Sequence, residues 1–402
     1  MITADTIRSL ADELYDDTVR VRRTIHRTPE LSFHEERTAA FVAGELDAAG
    51  IRCESGVGGH GVIATIEGSA TGGGRAAPVV ALRADMDALP IREENDHDFR
   101  STVDGVMHAC GHDGHTASLL TAGRILARLR DSLPGTVRLI FQPAEERAPG
   151  GAQAMIRDGA LASPSAGSVY GQHVNPDLPV GVVGFNPGLF MASTDDVLIT
   201  VRGRGGHAAK PHDAVDPIAI ASQLVVTLQQ VVSRSANPVT PSVLTFGRFV
   251  AEGAINVIPD TAELAGTFRT VDERWREQAL ERIEAVTRDL VASLGGTAEV
   301  EILRGYPPVV NDAQVTALAR ARAVEYLGED RVIDLPPAMW AEDFSYYAKE
   351  RPSCFYNLGI RNDERGIVHP VHSARFDLDE EALRVGSGLM AWIAVGALER
   401  EA

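Results

Sequence analysis

Three histidines, a cysteine and an aspartate fall within Met107-His108-Ala109-Cys110-Gly111-His112-Asp113-Gly114-His115. Imidazole nitrogen and thiolate sulfur are donors that divalent transition ions favour. Gathered in a core without a purpose, such groups would cost desolvation energy. The glycines between them let the backbone turn tightly. The stretch reads as the start of a metal site. Cys110 and His112, which the glycine between them lets converge, are its candidate donors. Two other chemistries use the same residue types. A closed structural zinc site usually carries more cysteines. A Cys–His nucleophile pair needs an orienting third group and an oxyanion hole, and it leaves the carboxylates further along without a task.

Those carboxylates are Glu145 and Glu146, in Gln142-Pro143-Ala144-Glu145-Glu146 after an apolar run. Adjacent carboxylates are commonly a solvated turn. Beside a metal they can divide the work. One ligates, while its neighbour takes a proton from the water that the metal acidifies and delivers it to the leaving group. His173 follows another apolar run, and His372 lies in His369-Pro370-Val371-His372-Ser373. Each is unremarked alone and gains weight from the others. Asp85 and Asp87, in Arg83-Ala84-Asp85-Met86-Asp87, suit the carboxylates that hold ligand histidines from behind; they also suit ordinary caps of a strand end. His207 sits on Gly203-Arg204-Gly205-Gly206, where an imidazole could swing toward a substrate. Arg269 ends a strand and could grip a carboxylate bidentately. Both also read as ordinary turn and surface residues.

These residues need elements to position them. Helical spacing runs over residues 5–27 and is stopped at Pro29. Ser32-Phe33-His34-Glu35 has capping-box form and opens a helix through Leu46. Strands are expected at 62–66, 79–82, 137–141 and 168–171, with helices at 116–129 and 152–158. The unbroken apolar strands end in Asp85, Gln142–Glu146 and Gln172–His173. That is the pattern of an open α/β sheet whose ligands gather at the carboxyl ends of its strands. From about 188 the texture changes to β-α-β-β-α-β, the ferredoxin-like order: strands at 197–201, 242–249, 263–270 and 298–303, helices at 217–232 and 272–294. The α/β texture then returns, with helices at 313–327, 344–349 and 380–398 and a strand at 354–358. The expected division is a larger α/β domain in two parts, 1–188 and 306–402, with a smaller domain inserted at 189–305. Gly72–Gly74 reads as a hairpin tip.

Composition narrows the partners. The chain has 402 residues, 44% hydrophobic and 23% charged, as in globular proteins of more than one core. Its net charge of −18, from 38 basic and 56 acidic residues, disfavours nucleic acid and anionic membrane as partners. A local arginine can still bind an anionic small molecule. Three cysteines, an odd and sparse set, argue against a disulfide framework and for a reducing, cytoplasmic compartment. The acidic start lacks the form of a signal peptide, and no apolar run reads as long enough to span a bilayer.

Taken together and in order, Met107–His115, Gln142–Glu146, Gly171-Gln172-His173, Gly203–His212 and Val371-His372-Ser373 resemble the motifs of the amidohydrolase branch of the aminoacylase/carboxypeptidase G metallopeptidase superfamily. That branch includes hippurate hydrolases, N-acetyl-amino-acid deacetylases and auxin–amino-acid conjugate hydrolases. The resemblance covers nearly the whole chain. It implies an open mixed α/β sheet flanked by helices, with an inserted ferredoxin-like lid through which a homodimer forms. It implies a dinuclear centre of divalent ions (zinc, manganese, cobalt or nickel) on Cys110, His112, Glu146, His173 and His372. Glu145 matches the general base and acid, and His207 a lid histidine that helps polarise the scissile carbonyl, in related enzymes from the partner subunit. Asn256 and Arg269 match lid positions that contact substrate. Related peptidases carry an aspartate where Cys110 stands, which favours the amidohydrolase branch. The implied activity is hydrolysis of N-acyl-L-amino acids. The alternative is a metallo-carboxypeptidase or dipeptidase acting on small peptides.

Overall fold

A computed structural model describes residues 2–69 and 77–401. The hairpin tip expected at Gly72–Gly74 lies outside them. The chain divides into two compact units.

The larger unit comprises the chain up to Phe190, Val310–Pro336, and the chain from Asp343 on. It is built on an eight-stranded mixed sheet. Its first strands are β1 (Cys53–Val57), β2 (Gly61–Glu67), β3 (Val79–Asp85), β4 (Thr136–Gln142), β5 (Ser168–Pro179) and β6 (Val183–Phe185). In space the order is β1, β2, β4, β3, β5, then Ser353–Arg361, β6 and Val332–Asp334. β3 pairs in parallel with β4 and β5, and β5 with Ser353–Arg361. Parallel strands are covered on both faces, so they need continuous apolar runs. Every residue of β3 and β4 is buried. Asp85 and Gln142 are register partners at their ends. The loops carrying Asp87 and Glu145–Glu146 therefore leave the sheet side by side.

β5 is longer than the expected strand at 168–171. It runs through His173 because Ser353–Arg361 pairs beside it, His173 against Asn357, and satisfies the backbone that far. The single helix expected over 5–27 is two, α1 (Ala4–Glu13) and α2 (Tyr15–Arg27), jointed at Leu14. The capping box expected at Ser32–Glu35 does not form. α3 spans Glu36–Ala48 without a side-chain cap. Ser32 Oγ instead donates to Asp87 Oδ2 at 2.6 Å, and Glu35 Oε1 accepts the Phe33 and Ala144 N–H groups. Partners distant in sequence outcompeted the local cap.

α4 spans His112–Arg128, starting earlier than expected, so His112, Asp113 and His115 lie on its first turn. Gly111 precedes it at φ 83°. A Cβ there would also meet Val174 Cγ2 at 2.6 Å, so the position admits only glycine. The final helix, Glu381–Glu401, corrects the reading that no run could span a bilayer: it is long and apolar enough by length and composition. Its apolar window is 83% buried, and it packs on α4 as the core helix of this unit.

The smaller unit comprises Met191–Val309 and Pro337–Glu342. Its sheet is ordered Ser242–Val250, Thr261–Thr270, Asp195–Arg202, Thr297–Arg304, antiparallel throughout. That is the ferredoxin-like arrangement. Val197, Ile199 and Val201 alternate inward and share a core with Ile220, Leu224 and Leu228 of helix Pro217–Gln230 and with Leu280 and Ile283 of helix Glu273–Ser293.

Candidate metal centre

Hydrogen bonding sorts the residues singled out in the sequence that belong to the larger unit. His173 Nδ1 lies 2.7 Å from the Val174 carbonyl, which can only accept, so Nδ1 carries the proton. The lone pair on Nε2 is then directed to Cys110 Sγ, 3.4 Å away. His112 Nδ1 lies 3.2 Å from Asp87 Oδ1 and 3.8 Å from Asp85 Oδ1. Its Nε2 is buried with no hydrogen-bond partner and stands 3.8 Å from Glu146 Oε1. His372, from a distant loop, puts Nε2 3.1 Å from the same Glu146 oxygen. Glu146 Oε1 also has no hydrogen-bond partner.

His115 is different. Its Nδ1 donates to Asp85 Oδ1 at 2.7 Å, and its Nε2 accepts the Val174 N–H at 2.9 Å. Both nitrogens are engaged, so His115 is a neutral strut. Asp113 accepts from Arg22 Nε and His26 Nδ1, each at 2.8 Å, and faces away from this work. His108 is buried, and burial pushes its imidazole down to about 4.

The ligand-type atoms of Cys110, His112 and His173 lie within 4.8 Å of one another, as do those of Cys110, Glu146 and His372. The two sets share the Cys110 sulfur. His112, Glu145 and Glu146 form a further such set. The electrostatics ask for a cation. Burial opposes charge on His112, yet Asp85, Asp87 and Glu146 outweigh it and push the imidazole up to about 10. Burial and the charges of Glu146, Glu145 and Asp85 hold the Cys110 thiol well above its usual range. Orphaned nitrogen and oxygen atoms around a shared sulfur fit divalent metal ions.

Asp87 does more than hold a histidine. Its Oδ1 accepts the Glu145 N–H at 3.0 Å and its Oδ2 the Glu146 N–H at 2.9 Å. Asp85 is braced by Arg83, which donates Nη1 to Asp85 at 2.7 Å, Nη2 to Asp343 at 2.8 Å and Nε to Gln142 at 3.0 Å. Sequence reasoning missed Arg83, Asp343, Ser32 and Glu35. A signal existed for Arg83, an arginine in an otherwise apolar buried strand; Glu35 was disguised as part of a cap.

In the smaller unit, His207 pairs with Val257 in a two-residue ladder, and the Ala208 N–H donates to the Asn256 carbonyl at 3.0 Å. His207 and Asn256 are thus neighbours, both exposed. His207 Nδ1 accepts the Ala209 N–H at 3.1 Å, so the neutral ring carries its proton on Nε2. Arg269 lies on Thr261–Thr270 and donates Nη1 to the Met339 carbonyl at 3.1 Å. Burial lowers its pKa and Asp196 opposes that.

Comparison with known proteins accords with this geometry. N-acetyl-L-cysteine deacetylase of Bacillus subtilis (strain 168) is 42% identical over 365 residues, covering 91% of this chain and 84% of the relative. Thermostable carboxypeptidase 1 of Saccharolobus solfataricus is 37% identical over 399 residues, covering 98% and 99%. The crystal structure of the YXEP protein of Bacillus subtilis, described as a dinuclear metal binding peptidase from the M20 family, superposes with a TM-score of 0.81 at 36% identity, covering 96% and 99%. The profile of peptidase family M20/M25/M40 matches residues 81–394. With that match over most of its length, the chain belongs to peptidase family M20/M25/M40 and is a hydrolase of amide bonds.

Proposed function

We propose that this hydrolase cleaves the amide bond of N-acyl-L-amino acids, releasing a carboxylate and a free amino acid. The observation that carries the reading is the pair of three-residue sets sharing the Cys110 sulfur, with Glu145 beside them. The deacetylase relative supports the substrate class.

In this reading Cys110, His112, Glu146, His173 and His372 hold two divalent ions drawn from zinc, manganese, cobalt and nickel. When bound, such ions acidify water and polarise a carbonyl. Glu145 takes a proton from the attacking water and returns it to the amide nitrogen as the C–N bond breaks, giving a carboxylic acid and an amine that exchange a proton to leave as carboxylate and ammonium. Asp87 fixes the backbone of Glu145 and Glu146 and the ring of His112; Asp85 fixes His115 beneath them. His207 presents Nε2–H to the oxygen of the scissile carbonyl. Arg269 or Asn256 binds the substrate α-carboxylate. The larger unit is the catalytic domain, and the smaller is its lid and the surface for a homodimer; Val226, Val239 and Ile255 are exposed there. Three unpaired cysteines suit the cytoplasm.

Glu145→Gln tests the assignment. It should retain metal by elemental analysis and lose turnover by about 10²–10⁴-fold. A variant as active as the parent sinks the role.

A second reading has its own support in the carboxypeptidase relative. A C-terminal peptide bond and an N-acyl amino acid present the same amide next to the same free carboxylate. Assays of acetyl-, benzoyl- and aminoacyl-amino acids side by side separate the two.

A further inference from the structure

Glu35 stands outside every role assigned above. It is fully buried, and one of its oxygens, Oε1, accepts two backbone N–H groups: Phe33 at 3.0 Å and Ala144 at 2.7 Å. Both donors are non-glycine residues in the left-handed region, φ 70° for Phe33 and 54° for Ala144. A Cβ disfavours that conformation, and it persists only where the surroundings impose it. Ala144 is the residue before Glu145. The next two N–H groups, of Glu145 and Glu146, go to the two oxygens of Asp87. Three successive N–H groups of one turn thus end on two buried carboxylates. The bridge between Leu31 and Ala88 and the Ala88 N–H on the Glu30 carbonyl bring the two carboxylates together. The far side of the turn is closed as well. Gly151 donates its N–H to the Ala144 carbonyl at 3.0 Å, and a Cβ on Gly151 would lie 1.9 Å from the Pro143 oxygen.

Stability alone is a poor reason for this arrangement. Glu35 Oε2 is buried with no hydrogen-bond partner. Burial, then the charge of Asp87, pushes the Glu35 carboxyl up to about 7. Such an unfavourable group is kept where it does something else.

We propose that Glu35 is a positioning residue for Glu145: by holding the Ala144 N–H it keeps the turn left-handed and aims the Glu145 carboxylate. The inference rests on the reading of Glu145 as general base. What the turn needs is an acceptor oxygen at the right reach, not a charge.

Two substitutions separate those needs. Glu35→Gln keeps an acceptor oxygen at the same reach and removes the charge. Glu35→Asp keeps the charge and withdraws the oxygen. With an N-acetyl-amino acid as substrate and metal-loaded enzyme, Glu35→Asp should lower kcat by about 10–100-fold, because small misplacements of a catalytic group cost that much. KM and metal content should stay within about twofold. Glu35→Gln should recover most of the loss. Adding Ala144→Gly to Glu35→Asp should raise kcat several-fold, since glycine takes the left-handed conformation unaided. Hydrogen–deuterium exchange on the metal-free proteins gives a readout apart from activity. The peptide over residues 142–147 should exchange faster in Glu35→Asp and near the parental rate in Glu35→Gln. Parental kcat and exchange in Glu35→Asp, or a Glu35→Gln enzyme as impaired as Glu35→Asp, overturns the proposal. Glu145→Gln is run in parallel. Its activity would overturn the role of Glu145, whereas inactive Glu145→Gln with unimpaired Glu35→Asp overturns only the positioning.

Discussion

The backbone N–H of His372 donates to the carbonyl oxygen of Ala109 at 2.7 Å. This one bond fastens the late loop to the residue before Cys110. It holds His372 at φ 62° with its ring against Glu146. The ring itself is half exposed, 52% accessible, so little packing depends on it.

His372→Ala should therefore lose bound metal and at least ~100-fold in kcat while the metal-free protein melts as before. Elemental analysis with a thermal melt checks both. Full metal content in the variant rules out ligation by His372.

His115 offers the contrasting case. Replacing it with leucine strands Asp85 Oδ1 and the Val174 N–H in a buried site. The loss should be about 3 kcal/mol of folding stability, read from urea unfolding of the metal-free form. An undiminished midpoint would mean that the strut is dispensable.

Arg269, proposed for the substrate carboxylate, donates to the backbone carbonyl of Met339. Arg269→Ala should raise KM for an N-acyl amino acid by at least ~10-fold and leave an N-acyl amine, which has no carboxylate, unaffected. Equal losses on both substrates would assign Arg269 to another task.

Glu35 makes stability depend on pH. Its carboxyl is raised from 4.5 to about 7 by burial and then by Asp87. The unfolded chain releases this proton first, so the folded state binds more protons between those values. Stability is then present below the lower value and falls as pH rises toward the upper one, by on the order of 3 kcal/mol from this group. Glu35→Gln should remove that slope. Urea midpoints of parent and variant at about pH 5 and about pH 8 test it; identical pH dependence in both proteins contradicts it.

Much of the chemistry was legible in residue types and order. Cys110, His112, Glu145, Glu146, His173 and His372 are donors whatever fold surrounds them. The apolar runs at 79–82 and 137–141 read as strands covered on both faces, and every residue of β3 and β4 is indeed buried. The alternation along 197–201, with helices following, marked the smaller unit as ferredoxin-like.

What stayed hidden depended on competition between local and distant partners. Ser32 and Glu35 have the spacing of a capping box, and in an isolated helix they would cap. Here Asp87 and Ala144 are better partners, and nothing local encodes that. Strand pairing carried β5 through His173. Which imidazole is donor and which is strut is also a tertiary matter: His112, His115 and His173 are chemically alike, and only Asp87, Val174 and Asp85 at their other nitrogens tell them apart. The sequence by itself determined which atoms can bind a metal and in what order they come along the chain. The tertiary structure decided which of them keep a lone pair for it, because a proton or lone pair is committed only when a partner arrives through space.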